Sequence, residues 1–183
     1  MRKYFIFNIL ALFFLISCKN DSPKTVAELK PFFDVRGYFK TEIERLKGVK
    51  KVKKTVEVNG KREEKIVEIT NWNEELAPFI SSDINRPAWL DKYLVKKNDL
   101  GNSVSRSEFY ALADNLKTRH LLVTHSDSTK NVIIEILNAE KTIATEAQSE
   151  LKYDAQVGYQ ISTSQKLFGS ADNVKVEVTF IKE

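Results

Sequence analysis

The sequence predicts an α+β domain with two N-terminal helices and a β-hairpin, followed by a mainly antiparallel sheet. Three observations carry this. Phe32, Val35, Phe39, Ile43 and Leu46 recur at spacings of three and four, the repeat of one apolar helix face. Asn59-Gly60 lies between two runs that read as strands, and that dipeptide accepts the positive φ angles of a type I′ hairpin turn. In the C-terminal half, short apolar and alternating runs are separated by loops of a few residues. Such loops join neighbouring antiparallel strands and are too short for crossovers.

Taken in order, Pro31 stands where a first helical residue often stands, and Gly48 follows the helical stripe as a C-terminal cap. Residues 49–70 form the hairpin. A two-residue loop sets Glu57 opposite Arg62, Lys51 opposite Glu68 and Val52 opposite Val67, and facing opposite charges support that register. Asn71 with Glu74 three residues later marks a second helix start, which Pro78 shortens or kinks. Asn85-Arg86-Pro87 is a break before 88–93, a short helix or the approach to a strand, and 98–103 is a turn cluster. Residues 109–113 and 121–124 read as short strands, although 111–116 fits a helix equally well. Val132 to Leu137 is an apolar, β-branched run. Val157, Tyr159 and Ile161 alternate with Gly158, Gln160 and Ser162. Val174, Val176, Val178 and Phe180 alternate with Lys175, Glu177 and Thr179, the cleanest half-buried strand of the chain.

The chain has 183 residues, 42% hydrophobic and 30% charged. That composition is ordinary for a water-soluble globular protein, and the length suits one buried core better than two. The N-terminus differs from the rest. Arg2 and Lys3 precede a stretch from Tyr4 to Ile16 that is apolar except for Asn8, and Ser17-Cys18 follows. A bilayer-spanning helix needs about 20 apolar residues, so this pattern is that of a signal peptide over 1–17. Leu15-Ile16-Ser17-Cys18 resembles the lipobox of bacterial lipoproteins. The resemblance implies cleavage before Cys18, diacylglycerol on its sulfur and, usually, an acyl chain such as palmitate on its new amino group. It also fits a chain whose single cysteine has no partner for an internal disulfide. Residues 18–30 then form the lipidated cysteine and a polar tether, and 31–183 a single α+β domain. Lys19 stands where an aspartate retains many such proteins in the inner membrane of enteric bacteria, so the resemblance implies the outer membrane and leaves the periplasmic or surface-exposed face undecided. Leu151-Lys152-Tyr153-Asp154 and Gly158-Tyr159 are also loosely similar to stretches of uncharacterised Bacteroidota lipoproteins, which implies no activity.

Candidate chemistry is sparse. His120 and His125 are five apart, which places them on opposite faces of a regular strand, so no metal site is expected. His125-Ser126-Asp127 suits a hairpin loop better than a catalytic triad, whose members come from separate segments. Glu63-Glu64 and Glu74-Glu75 sit in charged, solvated surroundings. No catalytic residue and no cofactor is nominated. Charge is more informative. Residues 47–65 hold eight bases, among them Lys50, Lys51, Lys53, Lys54, Lys61 and Arg62, against the three acids Glu57, Glu63 and Glu64. Such a hairpin can meet anionic lipid or an acidic partner. The simpler reading is an edge strand whose lysines block unwanted pairing. Nucleic acid is not expected, because no aromatic residue interrupts the lysine run. Trp72 and Trp89 fall in one middle segment and make 72–93 the preferred region for a partner or ligand.

The function expected from these features is a non-enzymatic, membrane-anchored envelope lipoprotein that binds a protein partner or serves as an accessory subunit at the outer membrane. The alternative is a carrier or chaperone for lipid or lipoprotein cargo, by analogy with lipoprotein-localisation proteins. A contiguous apolar cavity favours the carrier. A filled core with an exposed apolar patch favours the binder.

Overall fold

The computed structural model describes residues 31–167 and 170–181; the expected signal peptide, Cys18 and the tether lie outside them. The protein is α+β and built on one nine-stranded sheet in which every neighbouring pair is antiparallel.

Helix α1 spans Val35–Leu46. It starts later than Pro31, because the Asp34 side chain caps it by accepting from Gly37 N at 2.9 Å. Val35, Phe39, Ile43 and Leu46 form its buried stripe, each contributing about 2 kcal/mol by leaving water. The hairpin strands are β1, Val52–Val58, and β2, Lys61–Val67. They turn through Asn59 (φ 49°) and Gly60 (φ 85°) and pair Glu57 with Arg62 and Val52 with Val67. The second helical region is two short helices, α2 at Trp72–Glu75 and α3 at Ala77–Ile80. Asn71 caps α2, and Pro78 lies in the first turn of α3, after a break at Leu76. Replacing Asn71 with Ala should cost about 1 kcal/mol, measurable as a lower urea midpoint.

A 3₁₀ turn at Pro87–Trp89 leads into β3, Tyr93–Asp99. The remaining strands are β4 (Val104–Ala111), β5 (Thr118–Ser126), β6 (Asn131–Lys141), β7 (Thr145–Asp154), β8 (Gly158–Leu167) and β9 (Ser170–Phe180). Residues 112–117 are not helical. The sheet order is β2-β1-β9-β8-β7-β6-β5-β4-β3. The hairpin is therefore not a separate feature ahead of the sheet. It is one edge of it, with Val52 opposite Phe180 and Val58 opposite Val174.

One face of the sheet carries the core. Val176, Ile161, Leu151, Ile136, Leu121 and Phe109 form a continuous cross-strand row. Above the neighbouring row, Phe39 and Phe79 pack on Tyr153 at centroid distances of 4.9 and 5.9 Å. Trp72 meets Phe180 edge-on at 6.0 Å. Tyr153 and Tyr159 stand opposite each other on β7 and β8. Each hydroxyl donates to a helix carboxylate, Tyr153 to Glu42 of α1 and Tyr159 to Glu75 of α2. Arg45 completes the first site at 2.7 Å from Glu42, and Lys54 the second at 2.7 Å from Glu75. Buried phenols and partly buried ions thus satisfy one another where the helices meet the sheet.

Candidate functional site

The basic run is largely neutralised locally. Lys54 turns to the helical side and is bound to Glu75; Lys53 and Arg62 lie 3.8 and 3.7 Å from Glu64, and Lys65 lies 2.6 Å from Glu63. Lys50, Lys51 and Lys61 are exposed and have no carboxylate within 4.0 Å among the described residues. Strand β2 is a free edge whose first five residues, Lys61 to Lys65, are all charged. It is a guarded edge.

The two tryptophans do not form one site. Trp72 is 5% exposed and packs beside β9. Trp89 stacks under the Arg86 guanidinium at 4.2 Å and lies 6.4 Å from Tyr93 of β3. Six strand spacings separate β9 from β3, about 29 Å. The proximity of these tryptophans in sequence carries no proximity in space.

His120 and His125 occupy opposite faces of β5, facing Tyr110 and Ser105 respectively. His120 stacks on Tyr110 at 4.4 Å on the helix-free face. Tyr110 donates to Glu108, while Arg106 Nε and His120 Nε2 lie 3.3 and 3.6 Å from the same carboxylate. The Tyr110 hydrogen bond, aided by Arg106, holds the Glu108 carboxyl below its usual range. A carboxylate so enclosed by donors is a poor general base. His125 contacts Asp127 at 2.9 Å, but the Ser126 hydroxyl bonds with Ser128 and Thr129 instead. Those contacts organise a turn. No group of three His, Cys, Asp or Glu side chains able to hold a metal occurs among the described residues.

An open groove of about 530 Å³ lies between α2–α3 and the inner face of β6 to β8. Its floor is made of small and polar side chains such as Ala147, Ser149 and Thr163, with the Lys117–Glu140 ion pair at 3.2 Å among its lining residues. Asn138 lines it too, donating to Ser82 at 2.8 Å while its buried Oδ1 has no partner among the described residues. The groove is open to solvent, and its lining mixes apolar side chains such as Ala77, Pro78, Leu151 and Ile161 with the Lys117–Glu140 ion pair, so it is not an enclosed apolar chamber of the kind a lipid tail fills.

Strand β3, the other free edge, is the feature sequence reasoning missed. Five of the twelve exposed large apolar side chains among the described residues, Leu90, Leu94, Val95, Leu100 and Leu112, lie on β3, in the turns at its ends, or beside it on the chain leaving β4. Leu94 faces Tyr110 on the helix-free side, and Leu112 N donates to Lys92 O, so Leu94 and Leu112 are diagonal neighbours. The chain also enters the domain here. Phe32 packs against Tyr93 and Phe109, both at 5.7 Å. Asn85 clamps that segment by accepting from Phe32 N and donating to Phe33 O. Asp83 accepts from Arg36 N at 2.9 Å.

No family model, curated protein or solved structure matches this chain.

Proposed function

We propose that this chain is a non-enzymatic envelope lipoprotein, anchored through acylated Cys18 at the outer membrane, that binds a protein partner or acts as an accessory subunit. The observation that carries the reading is the β3 edge, where Leu94 and Leu112 are exposed neighbours on the helix-free face and Val95 is exposed on the other, close to where Phe32 packs on Tyr93. The filled aromatic core supports a binder over a lipid carrier. No helix among the described residues is long and apolar enough to cross a membrane, so attachment rests on the lipid in this reading.

Residues 19–30 reach at most about 40 Å when extended, and they lead to Phe32, which packs on Tyr93 of β3 and on Phe109. The basic hairpin lies at the opposite edge, eight strand spacings away, about 38 Å. A tether of that reach lets either edge meet the bilayer. The preference for a protein partner over anionic lipid therefore rests on the exposed apolar side chains at β3 and on the local pairing of the hairpin's lysines.

Replacing Cys18 with Ala should move the protein from the membrane fraction to the soluble fraction; retention in the membrane overturns the anchor. Crosslinking in native membranes should then yield a protein adduct. Recovery of lipid with no protein supports the carrier instead.

A further inference from the structure

Strand β3 has hydrogen-bonding capacity that the domain does not use. Its bonds to β4 include Leu112 N to Lys92 O and Leu100 N to Val104 O, so even-numbered residues pair inward. Antiparallel ladders alternate, and Tyr93, Val95, Lys97 and Asp99 consequently turn their N–H and C=O groups outward. No strand covers that side among the described residues. The two free edges arrange their side chains differently. Strand β2 opens with five consecutive charged residues and then carries Ile66 at 67% exposure, whereas β3 sets Leu94 and Val95, at 48% and 38% exposure, directly before the like-charged pair Lys96 and Lys97.

We infer that β3 accepts an extended segment of the partner protein as a tenth, antiparallel strand. This deepens the partner-binding reading and rests on it. The chemistry of the edge specifies the segment. Leu94 and Val95 call for apolar side chains. Lys96 and Lys97 have no carboxylate within 4.0 Å among the described residues, and they call for acidic ones. Opposite charges across a strand pair stabilise it, and like charges oppose it. A second copy of this chain is the poorer occupant, because the register that pairs all seven residues of two β3 strands sets Lys96 against Lys96. Main-chain bonds supply the affinity, and alternate side chains supply the choice.

The probe is the blocked heptapeptide Lys-Thr-Glu-Glu-Val-Ile-Thr, which in antiparallel register lays its glutamates beside Lys97 and Lys96 and its valine and isoleucine beside Val95 and Leu94. Binding to the full chain in detergent is read by fluorescence anisotropy. Val95→Pro removes an outward N–H that β4 does not use, and proline is tolerated at such an edge position. It should weaken binding at least tenfold while leaving the urea midpoint nearly unchanged. Lys96→Glu with Lys97→Glu should do the same, and a probe with both glutamates changed to lysine should regain affinity for that double variant. Lys50→Glu with Lys51→Glu, at the far edge, should have no effect. The inference fails if the heptapeptide does not bind the wild-type chain, or binds Val95→Pro equally well. It also fails if sedimentation shows a wild-type dimer that Val95→Pro dissociates, which makes a second copy the occupant. These failures are separate from failure of the parent reading, which is decided by the membrane fractionation and crosslinking of the Cys18 experiment.

Discussion

Replacing Gly158 with Ala is expected to destabilise the domain by on the order of 4 kcal/mol. Gly158 opens β8 at φ +146°, a conformation that L side chains rarely adopt, and an added Cβ there stands 1.9 Å from the carbonyl oxygen of Val178. Backbone strain of this kind costs about 1–3 kcal/mol, and overpacking adds roughly 1–3 more. The obstacle is the main chain of β9, so no side-chain rotation relieves it. Gly60 is the internal control. Its φ is +85°, but an added Cβ meets nothing within 4 Å, so Ala there should cost only about 1 kcal/mol. Urea unfolding of the two variants beside wild type gives the comparison. A Gly158→Ala protein as stable as Gly60→Ala contradicts the close approach of β8 and β9.

Alkaline pH should unfold the domain steeply. Tyr93, Tyr153 and Tyr159 are all buried. Burial pushes the Tyr93 phenol up to about 12. Burial, reinforced by hydrogen bonds to Glu42 and Glu75, pushes Tyr153 and Tyr159 higher still. An unfolded tyrosine loses its proton near pH 10. The folded phenols keep theirs above that point, so the unfolded chain binds fewer protons and gains relative to the fold. The tyrosine contribution to stability is therefore unaffected below about pH 10 and lost above it. Each buried tyrosine gives a slope of about 1.4 kcal/mol per pH unit, roughly 4 for the three together. Tyr159→Phe should lower the slope by about 1.4 kcal/mol per pH unit in urea titrations carried out from neutral pH upward. An unchanged slope argues that this phenol ionises as readily in the fold as out of it.

Much of the fold is legible in local pattern. Strands with an apolar residue at every second position, such as Val174 to Phe180, announce themselves because half of each is buried. Strand β7 does not. Its core-facing positions include Thr145, Ala147 and Ser149, small residues beside the groove, and only Leu151 and Tyr153 show the usual core signal. Strand β3 is obscured by Lys96, Lys97, Asn98 and Asp99, residues with low β propensity, and its pairing is supplied by β4. The candidate site was hidden for the same reason. An edge is a property of sheet order, and no short stretch encodes which strand has only one neighbour. Trp72 and Trp89 mislead in the opposite sense, because sequence proximity says nothing about which end of the sheet each one joins.

The pairing of β1 with β9 also dictates an order of assembly. Val52 needs Phe180 as its neighbour, so the hairpin has no place to dock on the sheet until β9 has been made. Contacts of such long sequence separation form slowly. Strands β3 to β9 can accumulate as a meander, but α1 and the hairpin join only when the C-terminal strand is available. A chain kept incomplete or extended is thereby held open, and completion of β9 is the step that closes the domain.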